Sequence, residues 1–278
     1  MNQATALRPG ARISLALLFA TAVWVYAPIF WEMGLDWYND PNYSHGFLVP
    51  LIAGYFLFQR WPDLKQARVA PSLTGMPVIL FGLTMLILGW VGTEYFTMRL
   101  SFVVLLAGTV LFLFGWPIFT VTALPILFLA LMVPLPYIVY DAIAFPLKLF
   151  VTKVSVASLK LMGVLVWNEG NIIMFPNTTL EVADACSGLR SMMSLTALSV
   201  AYAFLMTIPA WKRLCIVLSA IPIAVATNAL RVIATGFLAQ YWGAKAAEGF
   251  FHEFAGLAVF GLGMVLLIGF GALLRRSS

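Results

Sequence analysis

Long apolar runs separated by short polar stretches make up most of this chain. A transmembrane helix needs about 20 mainly apolar residues. Runs of that kind lie at about 13–31, 74–92, 99–115, 117–135, 187–208, 211–240 and 252–274. A shorter run at 46–61 follows a loop and also suits a crossing. The pattern predicts an all-α polytopic membrane protein of about eight transmembrane helices, in a single domain over residues 1–278.

Segment 137–167 does not fit this alternation. It is apolar enough to cross a membrane, yet it carries Lys148, Lys153 and Lys160. A single crossing here would invert every later segment, which the basic pair Lys212-Arg213 and the basic end of the chain disfavour. The segment is therefore predicted as an amphipathic or re-entrant helix near the outer surface. A ninth span is the alternative.

Residues 171–183 have the pattern of a short β-hairpin. Pro176 and Asn177 supply turn residues, and β-branched residues flank them. The hairpin is expected outside the membrane, on the periplasmic side, and it leads directly into the next apolar run.

Composition and charge support a membrane protein and give its orientation. Hydrophobic residues make up 62% of the chain and charged residues only 10%, with a mean hydropathy of +0.97, whereas soluble domains carry about 25% charged residues. Cytoplasmic loops are enriched in Lys and Arg. Nine of the sixteen basic residues fall on one predicted side: Arg8, Arg12, Arg60, Lys65, Arg68, Lys212, Arg213, Arg275 and Arg276. This distribution predicts two cytoplasmic termini and explains the net charge of +5 without nucleic-acid binding.

The stretch 181–190, EVADACSGLR, carries the strongest signal of chemistry. Cys186 and Arg190 are four residues apart where a polar run enters an apolar helix, so they share one helix face. A thiol in a first helical turn lies near the positive end of the helix dipole, which favours the thiolate. Ser187 and the following glycine leave space around the sulfur. The alternative is a structural cysteine, as expected for Cys215 among apolar residues.

A second charged position lies inside an apolar helix. Arg231 is flanked by Asn228 three residues before it and Thr235 four residues after it, which places the three on one polar stripe. An intramembrane arginine is costly unless it is paired or hydrated. It serves either as a clamp for an anion or oxyanion, or as an arginine that snorkels to the interface.

The two histidines lie on the predicted outer side. His252, followed by Glu253, begins the last span, and histidine suits general acid–base work near neutral pH. His45 precedes the second span, where structure or substrate positioning is favoured over catalysis. A thiol, a histidine and an arginine on one side supply the nucleophile, the base and the electrostatic group for acyl transfer.

Four motifs resemble the exosortase/archaeosortase family of membrane cysteine transpeptidases. They are Tyr43-Ser-His-Gly-Phe-Leu-Val-Pro50, Ala185-Cys-Ser-Gly-Leu-Arg190, Asn228-Ala-Leu-Arg231 and Gly249-Phe-Phe-His-Glu-Phe-Ala-Gly256. The resemblance extends from the first outer loop to the last span. A histidine at position 252 resembles the bacterial members of the family, whereas archaeal members have an arginine there.

The resemblance implies a Cys186–Arg231–His252 site that acts on exported proteins with a C-terminal sorting signal. In this family that signal is a short motif such as Pro-Glu-Pro, a transmembrane helix and a basic cluster, and many bacterial members are linked to exopolysaccharide production. Arg190, Asn228, Ser187, His45 and Glu253 are the expected supporting or substrate-binding residues. The expected location is the bacterial inner membrane with the site facing the periplasm. The expected partners are the substrate proteins, membrane lipid and an unidentified amine acceptor, without nucleic acid, metal or other cofactor.

Two rival functions remain at this stage. Within the enzymes, a simple processing protease would cleave without transfer. From another class, a transporter or export scaffold for polysaccharide or lipid would also explain an arginine inside the membrane. A transporter tolerates loss of the Cys186 thiol, whereas a cysteine acyl-transferase does not.

Overall fold

A computed structural model describes residues 9–176, 178–182, 189–242 and 250–276, with the side chains of 9–16, 18–19 and 250–253 excluded. These residues are mainly helical. The chain divides into two compact units, one of residues 1–40 and 46–134 and one of residues 41–45 and 135–278.

The described residues of the first unit form helices and short 3₁₀ turns. Its helices are α1 (Pro9–Asn39), α2 (Leu48–Gln59), α3 (Trp61–Gln66), α4 (Gly75–Val91), α5 (Tyr95–Phe114) and α6 (Trp116–Phe128). A 3₁₀ turn (Ser44–Phe47), whose first two residues belong to the second unit, precedes α2, and another (Leu129–Met132) follows α6. Helices α4 and α5 form a close hairpin, in which Gly75, Gly82, Gly89 and Gly108 allow the two backbones to approach.

Charged residues lie near both ends of this unit. At one end, Glu94 caps α5 by accepting hydrogen bonds from the backbone N–H groups of Phe96 and Thr97, and Arg99 pairs with Asp36 at 2.6 Å. Partial burial opposes ionisation of Glu94, but the hydrogen bonds from Thr97 and Phe96 and the charge of Arg99 outweigh it and hold the pKa of this carboxyl below its ordinary value. The basic residue Arg60 lies towards the other end, where it donates to the Val121 carbonyl. The orientation of the chain in the membrane stays a prediction.

The second unit combines four long helices with a small sheet. Its elements are α7 (Tyr137–Leu161), β1 (Trp167–Glu169), β2 (Ile172–Met174), β3 (Thr179–Glu181), α8 (Leu189–Leu205), α9 (Ala210–Trp242) and α10 (Phe250–Arg276). The strands form an antiparallel sheet in the order β1-β2-β3. The predicted hairpin is confirmed as β2–β3. Strand β1 was not predicted, because three residues are too few to show an alternating pattern.

The sheet packs on α7 and α9. One buried cluster joins Val151, Val156 and Leu159 of α7, Ile173 and Phe175 of the sheet region, Val182 after β3, and Ala229 and Val232 of α9. The Ser155 hydroxyl also donates to the Ala229 carbonyl at 3.5 Å. The segment that leads from β3 towards Cys186 is therefore anchored, at Val182, in the core that flanks Arg231.

Four of the described helical segments are long and apolar enough to span a membrane: Tyr95–Phe114, Tyr137–Leu161, Ala210–Trp242 and Phe254–Arg276. Shorter apolar helices cover Gly75–Val91, Trp116–Met132 and Leu189–Leu205. The expectation of a multi-pass helical architecture is met, while the count of eight spans stays a prediction. Segment 137–161 is one continuous helix whose length and composition also suit the ninth-span alternative.

Candidate functional site

The buried face of α9 holds the polar stripe that the sequence predicted. Asn228 is 1% exposed, Arg231 is 9% exposed and Thr235 is also buried. A snorkelling arginine would carry its guanidinium out of the protein. The burial of Arg231 among helices therefore does not fit the snorkelling alternative.

Gly256 of α10 lies next to the guanidinium of Arg231. A Cβ atom at Gly256 would lie 3.3 Å from Nη2, 3.4 Å from Cζ and 3.6 Å from Nη1 of Arg231. The three similar distances show that the flat guanidinium lies across the glycine. Gly256 is the last residue of the Gly249–Gly256 motif, and the sequence alone predicts no role for it. The available signal was its position four residues after His252, one helical turn away on the same face.

His252 and Glu253 lie in the first turn of α10, and their side chains are outside the described part of the structure. The backbone nevertheless places His252 one turn, about 6 Å, before the glycine that contacts Arg231. Helices α9 and α10 thus bring the arginine of one motif next to the helical turn that carries the histidine of another.

The described start of α8 lies at the same level as Arg231. A Cβ atom at Gly263 of α10 would lie 3.6 Å from Leu195 of α8 and 3.7 Å from Thr227 of α9, so the three helices meet there. Leu189 is about 9 Å before Leu195 on α8, and Arg231 is about 6 Å after Thr227 on α9. Because α8 and α9 are antiparallel neighbours, both steps lead in the same direction, so Leu189 and Arg231 lie at nearly the same level.

Cys186 and Ser187 lie outside the described residues, so the structure does not place the predicted nucleophile. The described residues that flank them are Val182 and Leu189, and both are 1% exposed. Cys215 has a free, half-buried thiol in α9. It lies one turn from Lys212 and 16 residues, or about 24 Å, along the helix from Arg231.

Arg190 and the loop 41–45 meet in the same unit. The Nε of Arg190 donates to Oδ1 of Asn42 at 3.5 Å, a long hydrogen bond. The neighbouring Tyr43 is buried, and its hydroxyl donates to the Leu135 carbonyl at 3.4 Å. His45 is also buried, at 9% exposure. The loop that contains the Ser44-His45 motif therefore groups with the unit that carries Arg190 and Arg231.

The opposite end of this unit is basic. Lys212 of α9 donates from Nζ to the Leu274 carbonyl of α10 at 2.7 Å, and Arg213 donates to the Met206 carbonyl at 3.3 Å. Arg231 is 19 residues beyond Lys212, or about 28 Å along the helix. That distance is close to the thickness of a bilayer's hydrocarbon core, about 30 Å. Arg231 and the basic end are therefore separated by about the thickness of the hydrocarbon core of a bilayer.

Comparison with known proteins identifies one family. The family model described as "Transmembrane exosortase" matches residues 37–269, which is most of the chain. No curated protein and no solved structure matches.

Proposed function

Because the chain belongs to the transmembrane exosortase family, we propose that it is a membrane-embedded cysteine protease or transpeptidase that cleaves the C-terminal sorting signal of exported proteins. The observation that carries the proposal is the packing of Arg231 on Gly256, one turn from His252 and at the level where α8 begins. Cys186 is three residues before Leu189, so the chain itself keeps the two Cα atoms within about 11 Å. On this proposal, Cys186, His252 and Arg231 lie at the same end of the second unit and act as nucleophile, base and cation.

The proposed reaction proceeds through a thioester. His252 takes the proton of the Cys186 thiol, and the thiolate attacks the carbonyl carbon of the scissile peptide bond. Arg231 stabilises the negative charge that develops on the carbonyl oxygen, or holds a substrate carboxylate. The C–N bond breaks, and the imidazolium of His252 returns the proton to the leaving amine.

An acceptor then resolves the thioester. A primary amine gives a new amide and makes the protein a transpeptidase, whereas water gives a free carboxylate and makes it a processing protease. Either step restores the Cys186 thiol. Arg190, Asn228, Ser187, His45 and Glu253 are proposed to support the site or to bind substrate. The burial of Asn228 beside Arg231 and the contact of Arg190 with the loop of His45 support that role.

The test is a comparison of the C-termini of exported proteins in the native host with and without this gene. We expect a set of proteins whose mature C-terminus lies before an apolar segment only when the gene is present. Neutral hydroxylamine should release an acyl fragment of these proteins from the purified enzyme, because it cleaves thioesters. An unchanged set of C-termini would refute the proposal and favour a transporter or export scaffold. The mass of the new C-terminus distinguishes transfer from hydrolysis.

We propose further that the protein lies in the bacterial inner membrane with both termini in the cytoplasm and the site at the periplasmic face. The basic end of the second unit and the charge separation in the first unit support this orientation. Single cysteines at positions 40, 176 and 245, in a chain without native cysteines, should react with an impermeant reagent on intact spheroplasts, whereas a cysteine at position 65 should not. The opposite labelling pattern would reject this topology.

A further inference from the structure

An open groove of about 680 Å³ runs along α10, with Ile223 of α9 at its side, in the half of the second unit that holds the basic end. Its described walls include Ile223 of α9 and Val265, Leu266, Phe270 and Leu273 of α10, and Arg276 lies at one end. The volume is in the range of small-ligand sites. The walls are almost entirely apolar, and the charge is confined to the end of the groove.

The length of the groove matches one leaflet of a membrane. From Val265 to Arg276 the helix advances 11 residues, or about 16 Å. This is about half of the hydrocarbon thickness of a bilayer, roughly 30 Å. A partner's transmembrane helix crosses the full thickness and would extend well beyond this groove. A lipid acyl chain, in contrast, occupies a single leaflet.

The charge at the groove's end selects the head group. Arg276 lines the groove, Arg275 is exposed beside it, and the ammonium of Lys212 lies at the carbonyl of Leu274, two residues before Arg276. Of these three, only Arg276 lines the groove and can pair with an anionic head group there, and basic pockets between transmembrane helices are known lipid sites. Gly269 leaves room for the chain, because a Cβ added there would meet no atom within 4 Å.

We infer that this groove binds an anionic phospholipid, with one acyl chain between α9 and α10 and the phosphate at Arg276. Along the helices, the near end of the groove at Ile223 is about 12 Å from Arg231, and its charged end at Arg276 is about 30 Å from Gly256, so the head-group end is separate from the proposed site of the reaction. It binds a resident lipid that fixes the pairing of these two helices. The inference does not rest on the proposed enzymatic activity.

The test measures lipid-dependent thermal stabilisation of the purified full-length protein in detergent. Phosphatidylglycerol should stabilise the protein at about fivefold lower concentration than phosphatidylcholine of the same chain length, as expected for one cation near an anionic head group. Arg276→Gln should abolish this preference, while the matched control Arg275→Gln, which does not line the groove, should largely keep it. Both positions are exposed, so both variants should fold.

A second pair of variants tests the acyl chain. Gly269→Leu fills part of the groove and should raise the concentration of phosphatidylglycerol needed for stabilisation by about tenfold. This is the effect expected when about two methylene groups of the acyl chain can no longer be buried. Gly261→Leu on the same helix is the control, because a Cβ there also meets no atom within 4 Å and the position is outside the groove. Equal stabilisation by the two lipids, or an unchanged response of Gly269→Leu, would overturn the inference. A dimer that Gly269→Leu dissociates would assign the groove to a second copy instead.

Discussion

Replacing Cys186 with alanine is expected to stop the proposed C-terminal processing of exported proteins while the protein stays inserted and abundant. Acyl transfer needs the sulfur, whereas packing needs only a small side chain, and cysteine behaves structurally as a small apolar residue. Loss of a nucleophile costs about four orders of magnitude in rate or more. The measurement is the rate at which a substrate identified by its C-terminus is shortened, with membrane abundance of the variant determined in parallel.

The chain supplies a matched control for this result. Cys215 is a free thiol in the same unit, near Lys212 at the basic end of α9. Cys215→Ala should leave the processing rate within about twofold of wild type, because surface or half-buried small-residue changes have small effects. If Cys186→Ala shortens the substrate at the wild-type rate, the cysteine-enzyme proposal fails and the transport or scaffold function becomes the better explanation.

Replacing Arg231 with lysine is expected to reduce processing by about 10²- to 10³-fold although the positive charge is kept. Removal of one oxyanion donor has an effect of this size. The guanidinium lies flat across Gly256 and offers several donors in a fixed plane, which a single ammonium cannot reproduce. The measurement is again the processing rate, at a substrate level that separates kcat from KM.

Gly256 provides an independent way to disturb the same group. A Cβ at this position would approach Arg231 to 3.3 Å, so Gly256→Val should displace the guanidinium and lower the rate by about tenfold to a hundredfold. Gly261→Val, five residues further along α10, meets open space and should keep the wild-type rate. Wild-type processing by both Arg231→Lys and Gly256→Val would exclude a role for the guanidinium in the reaction.

Most helices could be predicted because the apolar runs end at residues that disfavour a buried helix. The predicted run 74–92 corresponds to Gly75–Val91, and 211–240 corresponds to Ala210–Trp242. Glycine, proline and charged residues delimit these runs, and lipid allows few backbone arrangements other than helices. The short helix at Leu48–Gln59 was also anticipated as a run, although its 12 residues fall below the usual length of a span.

Other features depended on contacts between distant parts of the chain. Residues Trp167–Glu169 form strand β1 because they pair with β2. Three residues are too few to show the alternation of polar and apolar positions that predicts a strand. The loop 41–45 belongs with the second unit, although residues on both sides of it belong to the first. Nothing in the local sequence of that loop indicates where Asn42 and Tyr43 find their partners.

The sequence by itself determined the residue types of the candidate site and their family. The Cys186, Arg231 and His252 motifs are local patterns, and their chemistry can be read from side-chain properties alone. Only the tertiary structure decided that Arg231 packs on Gly256, one turn from His252, and that α8 begins at the same level. The physical reason is that helix pairing and register arise from side-chain packing between segments far apart in sequence, which no local periodicity encodes.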